Sequence, residues 1–216
     1  MRRTCVLVAV LVTMSLSGAR ASALLQNGDF QLGNTGFTSV YKYVAPDNNG
    51  VLNPEGFYTL TTNPNNVHSL FSSFGDHTTG TGLMLVANGN NVADTVVWQG
   101  QLSQPLVVGQ AYAFTFWARS AYASSPAELS FHIGADQIGT MLLPASTAEW
   151  VESTTYFVAQ TTNPVINIRD DNAVEQGNDF ALDDISLTDG VPEPSTSILL
   201  GAGLAALIAA RRRIGR

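Results

Sequence analysis

The sequence is poor in cysteine and in basic side chains. Its one cysteine, Cys5, lies in an apolar segment near the N-terminus, and the stretch from Leu24 to Gly190 has none. A disulfide, a thiol nucleophile and a thiolate metal ligand are therefore excluded from that stretch. It also holds three basic side chains against sixteen acidic ones, a net charge of −13. This charge excludes a nucleic-acid partner, whose phosphates the protein would repel.

Signatures of catalysis are also missing. The three histidines, His68, His77 and His132, lie in no metal-ligand spacing, and no G-x-S-x-G turn is present. His77 is expected to be an exposed or hydrogen-bonding histidine. The acids between Asp170 and Asp179 do not have the spacing of a calcium-binding loop and predict a solvated acidic loop.

The N-terminal segment has the features of a secretory signal. Arg2 and Arg3 precede an apolar run from Cys5 to Leu16, and the small residues Ala21–Ala23 follow. This order predicts a signal peptide over residues 1–23 that is removed on export. The alternative is an uncleaved anchor, which the short apolar run disfavours.

The C-terminal segment has three features in sequence. A proline-rich linker occupies residues 190–197, a short apolar run occupies residues 198–210, and a basic tail occupies residues 211–216. A helix over the apolar run would span roughly 20 Å, less than the roughly 30 Å hydrocarbon core, so we predict a strained or transient transmembrane helix. The positive-inside bias places the tail in the cytoplasm and the body outside.

This C-terminal segment resembles the PEP-CTERM sorting signal of Gram-negative bacteria. The resemblance implies an exosortase as partner, a membrane enzyme that recognises the tail and cuts near the Pro-Glu-Pro. The body would pass through the inner membrane, be held there transiently, and reach the cell envelope or extracellular matrix. The family accompanies exopolysaccharide and biofilm formation. The alternative is a plain single-pass tail anchor. The motif residues are Pro192, Glu193, Pro194, Arg211, Arg212 and Arg213.

The body between the two ends has the pattern of a β-protein. Short alternating runs recur between Gly, Pro, Asn and Asp clusters, without a sustained 3.6-residue period. The pattern predicts an all-β fold, a single β-sandwich over residues 24–189 flanked by the signal peptide and the short C-terminal helix. The predicted strands are Phe37–Tyr43, Gly56–Leu60, Leu83–Ala87, Thr95–Leu102, Gln110–Arg119, Glu128–Ile133, Trp150–Val158, Val165–Ile168 and Phe180–Leu187.

Several short motifs in the body resemble galactose-binding-like jelly rolls, and among them carbohydrate-binding modules. They include Asn27–Phe30 at the start, Trp98-Gln99, Val108–Tyr112 leading to Phe116–Arg119, and Leu182–Leu187 at the end. The resemblance implies a jelly-roll β-sandwich that binds polysaccharide. It also implies a structural calcium ion between the first and last segments. Gln31 stands where such modules carry an acid, which removes one charge from this site. The predicted calcium ligands are Asn27, Gly28, Asp29 and Asp183, which offer the oxygen atoms that calcium prefers.

Strand alternation gives a separate reason to expect a buried carboxylate at Asp183. If Ala181, Ile185 and Leu187 face inward on the last strand, alternation turns Asp183 inward with them. A buried carboxylate needs a cation or several hydrogen-bond donors. The alternative to calcium is that Asp183 accepts hydrogen bonds from backbone amides of the first strand.

Aromatic side chains are the remaining indication of a ligand, because flat rings stack on the apolar faces of sugars. Trp117 and Arg119 share one face of a predicted strand and are predicted to contact the ligand. Tyr41 is a third candidate, with core packing as its alternative. Trp98 and Trp150 are assigned to the core.

Together these observations predict a non-catalytic exported protein of the cell surface or extracellular matrix whose body binds polysaccharide. One alternative is a purely structural matrix protein. The other is a secreted glycoside hydrolase with a pair of carboxylates that the sequence does not reveal.

Overall fold

The computed structural model describes residues 24–190, which form an all-β body of eleven strands. The predicted signal peptide, the sorting-motif residues and the predicted transmembrane helix at residues 198–210 lie outside the described residues. Within residues 24–190, no helix is long and apolar enough to cross a membrane. The strands are β1 (Phe37–Thr38), β2 (Lys42–Tyr43), β3 (Phe57–Thr61), β4 (Met84–Asn88), β5 (Thr95–Gly100), β6 (Ala111–Ser120), β7 (Glu128–Ile133), β8 (Asp136–Leu142), β9 (Val151–Val158), β10 (Ile166–Asp170) and β11 (Phe180–Asp189), and a 3-10 turn spans Pro64–Asn66.

The strands form two sheets that enclose one main core. The five-stranded sheet has the order β1-β5-β10-β7-β8, and the six-stranded sheet has the order β2-β3-β4-β11-β6-β9. Neighbouring strands are antiparallel except for β2 and β3, which are parallel. This architecture confirms the predicted β-sandwich.

Aromatic side chains from both sheets fill the main core. On β6, Tyr112, Phe114 and Phe116 are buried at every second position, as their alternation predicts. Phe116 packs edge-on against Phe131 of β7, with ring centroids 4.8 Å apart. Burying such a ring stabilises the fold by about 1.5–3 kcal/mol. The contact therefore joins the two sheets near the middle of the sandwich.

Two strands differ from the sequence prediction. The segment predicted as one strand, Phe37–Tyr43, divides between the sheets, because β1 pairs with β5 and β2 pairs with β3. The prediction missed β8, which lies at the edge of its sheet and has no fully buried side chain. Without a buried face, the strand lacks the apolar alternation by which a strand is recognised.

The outer face of the six-stranded sheet carries a second, smaller core. The chain between β2 and β4 folds over this face and buries apolar side chains against β4 and β11. The cover leaves the neighbouring part of the face open beside β6. The residues of this core are Leu52, Val67, Phe71, Phe74, Met84, Val86, Ala121 and Ala181.

A β-bulge in β11 changes the direction of its side chains. The register with β6 shifts between Asp183 and Ser186, and Asp184 has a positive φ of 47°. An extra residue at a bulge breaks the two-residue alternation. Leu182 and Ile185 consequently both reach the main core. Asp183 lies opposite Trp117 in the register of β11 with β6, and its side chain is on the outer face. The prediction that Asp183 points inward with Ile185 is therefore wrong, although the side chain is buried.

Candidate functional site

An open groove on the outer face of the six-stranded sheet is the candidate site. Its volume is about 580 Å³, and it is formed by the N-terminal turn, by β6 and by the bulge of β11. A second cavity of about 250 Å³, beside β8 and β9, has mainly apolar walls and a single carboxylate, Asp136. The groove is lined by Asn27, Asp29, Gln31, Leu32, Thr115, Trp117, Asp184, Ile185 and Ser186.

Asn27 holds the N-terminal turn in shape. Its backbone has a positive φ of 48°, a conformation that asparagine tolerates better than most residues. The side-chain Oδ1 accepts a hydrogen bond from the amide of Leu32 at 2.9 Å, and Nδ2 donates to the carbonyls of Gly33 and Thr35. These bonds fix the turn that brings Asp29 and the exposed Leu32 to the groove.

Trp117 is held in the groove by His77 and Asp184. The His77 imidazole stacks on the Trp117 ring, with centroids 3.8 Å apart and planes 15° apart. Its Nδ1 lies 2.6 Å from Asp184 Oδ2, and the hydroxyl of Thr78 donates to the same carboxylate oxygen. His77 is a hydrogen-bonding histidine, as predicted. The half-buried indole therefore has a fixed orientation at the site.

Carboxylates also fasten the loop that carries His77. Asp183 Oδ2 accepts the amide of His77 at 2.9 Å, and Oδ1 accepts the amide of Asp184 at 2.8 Å. Burial raises the pKa of Asp183 to about 7. Asp76 accepts the amides of Thr79 and Gly82 at 2.9 and 2.7 Å. Burial acts to raise the pKa of Asp76, but these hydrogen bonds outweigh it and hold that pKa below its usual value.

Of the predicted calcium ligands, only Asp29 has a largely free carboxylate, which is exposed and accepts one hydrogen bond, from the amide of Gln31. Asn27 Oδ1 accepts the amide of Leu32, and the Gly28 carbonyl accepts the amide of Ile185 at 2.9 Å. Both carboxylate oxygens of Asp183 accept amides, and Asp183 is not among the residues that line the groove. The arrangement fits the alternative of amide donors, but these belong to His77 and Asp184 and not to the first strand.

Gln31, which stands where an acid was expected, makes a different connection from the one predicted for calcium. Its Nε2 donates to the carbonyl of Asp29 at 2.8 Å and to the carbonyl of Leu83 at 2.9 Å, while Oε1 accepts the amide of Leu83 at 3.3 Å. The neutral side chain thereby ties the N-terminal turn to the residue before β4. The residues present do not fit a calcium ion at this position.

Of the three predicted ligand residues, the structure places one in the groove. Trp117 lines it. Arg119 does not, because its Nε and Nη2 donate to the carbonyl of Thr147 and its guanidinium lies 3.9 Å from the ring centroid of Phe74. Tyr41 is buried, and its hydroxyl donates to Asp170 Oδ2 at 2.7 Å. The assignments of Arg119 and Tyr41 to a ligand are therefore corrected to structural roles.

The acidic segment predicted to be solvated is divided: Glu175 is exposed and Asp171 is half-buried, whereas Asp170 and Asp179 are buried. Asp170 and Asp179 are almost inaccessible, and burial is the largest cause that raises their pKa values to about 6 and about 7. Asp179 accepts the amide of Gly89 at 3.1 Å. Among residues 24–190, no group of three or more His, Cys, Asp or Glu side chains is arranged to hold a metal ion.

Sequence reasoning missed the pairing of His77 with Asp184. The two residues are 107 positions apart, and neither lies in a recognised catalytic spacing. The available signals were the polar loop at residues 76–80 and the doubled acid at positions 183 and 184. Only the fold over the outer face of the sheet brings them together.

Comparisons with known proteins give one motif and a fold. Residues 190–213 match the PEP-CTERM protein-sorting motif. No curated protein matches the sequence. Similar solved structures include the Stig cyclase Fisc from Fischerella sp. TAU, with 11% identity, 78% of this chain and 98% of that chain covered, and a TM-score of 0.53. Another is the K3 adhesin domain of Lys-gingipain from Porphyromonas gingivalis W83, with 16% identity, 79% of this chain and 99% of that chain covered, and a TM-score of 0.52.

A third structure is less similar. The CBM22-1 xylan-binding domain of Xyn10C from Paenibacillus barcinonensis has 12% identity, coverage of 78% and 94%, and a TM-score of 0.49. The likeness of fold rests on the cyclase and the adhesin domain. Because these two differ in function, the fold does not decide between catalysis and binding. The chain carries the PEP-CTERM protein-sorting motif, C-terminal to a β-sandwich of two sheets.

Proposed function

We propose that this exported protein binds a polysaccharide through the groove, without catalysing a reaction. One observation carries the proposal: an aromatic ring, carboxylates and amides converge in the same open groove. Trp117 offers apolar ring surface for a sugar, and Asp29 and Ser186 offer hydrogen-bonding groups for its hydroxyls. A site with these two kinds of contact suits a carbohydrate.

The shape of the groove favours a polymer over a small molecule. Its volume of about 580 Å³ lies within the usual range for a ligand site, but the groove is open and not enclosed. An open site can hold part of a longer chain, whereas an enclosed pocket must hold the whole ligand. Fixed orientation of Trp117 by His77 reduces the entropy lost when a sugar stacks on it.

The sorting motif supports an extracellular setting for this binding. Export followed by processing by an exosortase would deliver the body to the cell envelope or the extracellular matrix. Exopolysaccharide in that compartment is the proposed partner. The protein would then attach to the matrix through the groove.

Trp117→Ala tests the proposal by affinity electrophoresis of the purified protein through gels that contain individual polysaccharides. The native protein should be retarded by at least one polysaccharide, and the variant should lose about 1–3 kcal/mol of binding, taking the range for nucleic-acid bases stacked on aromatic side chains as a guide. Tyr43→Ala is the matched control, because Tyr43 is a partly exposed aromatic residue on β2, which three strands separate from β6 in the same sheet, and it does not line the groove.

The outcome separates the proposal from a structural role. Retardation of the native protein and of Tyr43→Ala, but not of Trp117→Ala, supports binding at the groove. No retardation by any polysaccharide contradicts the proposal and favours a purely structural matrix protein.

A glycoside hydrolase is the second candidate, because Asp29 and Asp184 both line the groove. However, Asp184 already accepts hydrogen bonds from Thr78 and pairs with His77, which suits a fixed structural carboxylate. Release of reducing ends from a retained polysaccharide, abolished in Asp29→Asn, would establish hydrolysis in place of simple binding.

A further inference from the structure

Two carboxylates line the groove, and one of them, Asp29, has no basic partner among the described residues. Asp29 is exposed, and its carboxylate accepts one hydrogen bond, from the amide of Gln31 at 3.4 Å. Asp184 lines the groove and pairs with His77. Glu152, on the neighbouring strand, lies directly opposite Trp117 and is exposed. Glu152 does not line the groove itself, so acidic side chains lie within the groove and on the strand beside it.

The basic side chains of the described residues are engaged elsewhere. The Lys42 ammonium lies 4.9 Å from the ring centroid of Phe57, and Arg119 is bonded to the carbonyl of Thr147. Arg169 Nη1 lies 2.7 Å from Asp94 Oδ1. None of the groove-lining residues is a lysine or an arginine.

This distribution distinguishes three classes of polysaccharide. A polymer of uronic or sulfated sugars would meet like charge in the groove and over a body with a net charge of −13. A neutral polymer would be neither attracted nor repelled. A polymer with protonated amines would gain ion pairs with Asp29 and Glu152 and a cation–π contact with Trp117.

Resting on the proposed function, we propose that the ligand of the groove is a cationic amino polysaccharide, a hexosamine polymer with free amines. Stacking on Trp117 serves any sugar, whereas the carboxylates around it select the amine. His77 pairs with Asp184 and stacks on one face of the indole, so Asp29 in the groove and Glu152 on the strand beside it remain to contact the ligand.

Isothermal titration calorimetry of the purified protein at mildly acidic pH tests the selectivity with three hexasaccharides: glucosamine, N-acetylglucosamine and galacturonic acid. The glucosamine hexamer should bind about ten-fold more tightly than its acetylated counterpart, from several weak charge contacts acting together. The galacturonic acid hexamer should not bind. Raising the salt to about 0.5 M should remove most of the preference, because exposed charges are screened.

Asp29→Asn locates the effect. This variant should bind the glucosamine hexamer about two- to five-fold more weakly, the range expected for an exposed ion pair, and should bind the acetylated hexamer like the native protein. Asp136→Asn removes an equally exposed acid from β8, far from the groove in the topology, and should change neither affinity. Unchanged urea midpoints would show that both variants are folded.

The results separate this inference from the function on which it rests. One result would be that the glucosamine and N-acetylglucosamine hexamers bind equally well to the native protein and that neither binds to Trp117→Ala. This result overturns the selectivity for amines and leaves polysaccharide binding intact. If neither Asp29→Asn nor Trp117→Ala weakens binding of the glucosamine hexamer, the hexamer is attracted only to the acidic body in general. That result overturns both.

Discussion

The buried acids predict that this protein loses stability as the pH rises from about 5 to 8. Asp179 is 6% exposed, and its pKa is raised from 3.8 to about 7 by burial, by Glu55 and by Asp170, against one opposing hydrogen bond from Gly89. A folded-state pKa above the unfolded value means that the folded protein binds more protons. The contribution of Asp179 to the free energy of unfolding is therefore fully present below pH 3.8 and is lost as the pH rises through about 7.

The magnitude follows from proton linkage. At about pH 5 the folded carboxyl is almost fully protonated, whereas the unfolded one is ionised. At 1.36 kcal/mol per pH unit, Asp179 alone loses about 2 to 3 kcal/mol of unfolding free energy between about pH 5 and pH 8. Burial also raises the pKa values of Asp170 and Glu55, to about 6 and about 7, so their contributions have the same sign.

Urea unfolding of the native protein and of Asp179→Asn at several pH values checks this reasoning. The asparagine keeps a side-chain oxygen for the amide of Gly89 but cannot ionise. We expect the variant's unfolding free energy to fall about 2 to 3 kcal/mol less over this range. Asp136→Asn, an exposed acid, is the control and should follow the native profile. Parallel profiles for the native protein and Asp179→Asn would refute the assignment of the effect to this buried carboxyl.

Three further predictions concern the N-terminal turn, metal binding and processing. Gly28→Ala should destabilise the fold by about 1–3 kcal/mol or more in urea unfolding, because an added Cβ would lie 1.7 Å from the carbonyl oxygen of Ile185. Calcium and magnesium should raise the melting temperature equally, and Asp183→Asn should not change that response; a calcium-specific shift lost in this variant would restore the metal site. Intact-mass analysis of the native protein should show removal of residues 1–23 and of the tail beyond Pro192–Ser195; a membrane-bound chain that retains the terminal arginines would contradict processing.

The strand content was predictable because burial leaves a period of two in the sequence. In β6, three aromatic residues at alternate positions face the main core, and this pattern survives in the amino-acid order. β8 left no such trace, since an edge strand with half-exposed side chains is under little pressure to alternate.

The site was predictable only in part. Trp117 was identified from the polar character of its strand face, and the structure places it in the groove. The prediction for Asp183 was wrong because of the bulge at Asp184. One inserted residue reverses the direction of the side chains that precede it in the strand, relative to those that follow. Tyr41 shows the same limit: its partner Asp170 is 129 positions away, a contact that no local pattern encodes.

The position of β11 determines when this protein can finish folding. Although β11 is the last strand in the chain, it lies inside its sheet, between β4 and β6. Until it arrives, those two strands present unpaired edges and the six-stranded sheet is split in two. A chain delivered from its N-terminus would therefore remain incomplete, and exposed to aggregation, until residue 189 has emerged. The sorting motif starts at residue 190, so closure of the sandwich and arrival of the sorting signal nearly coincide.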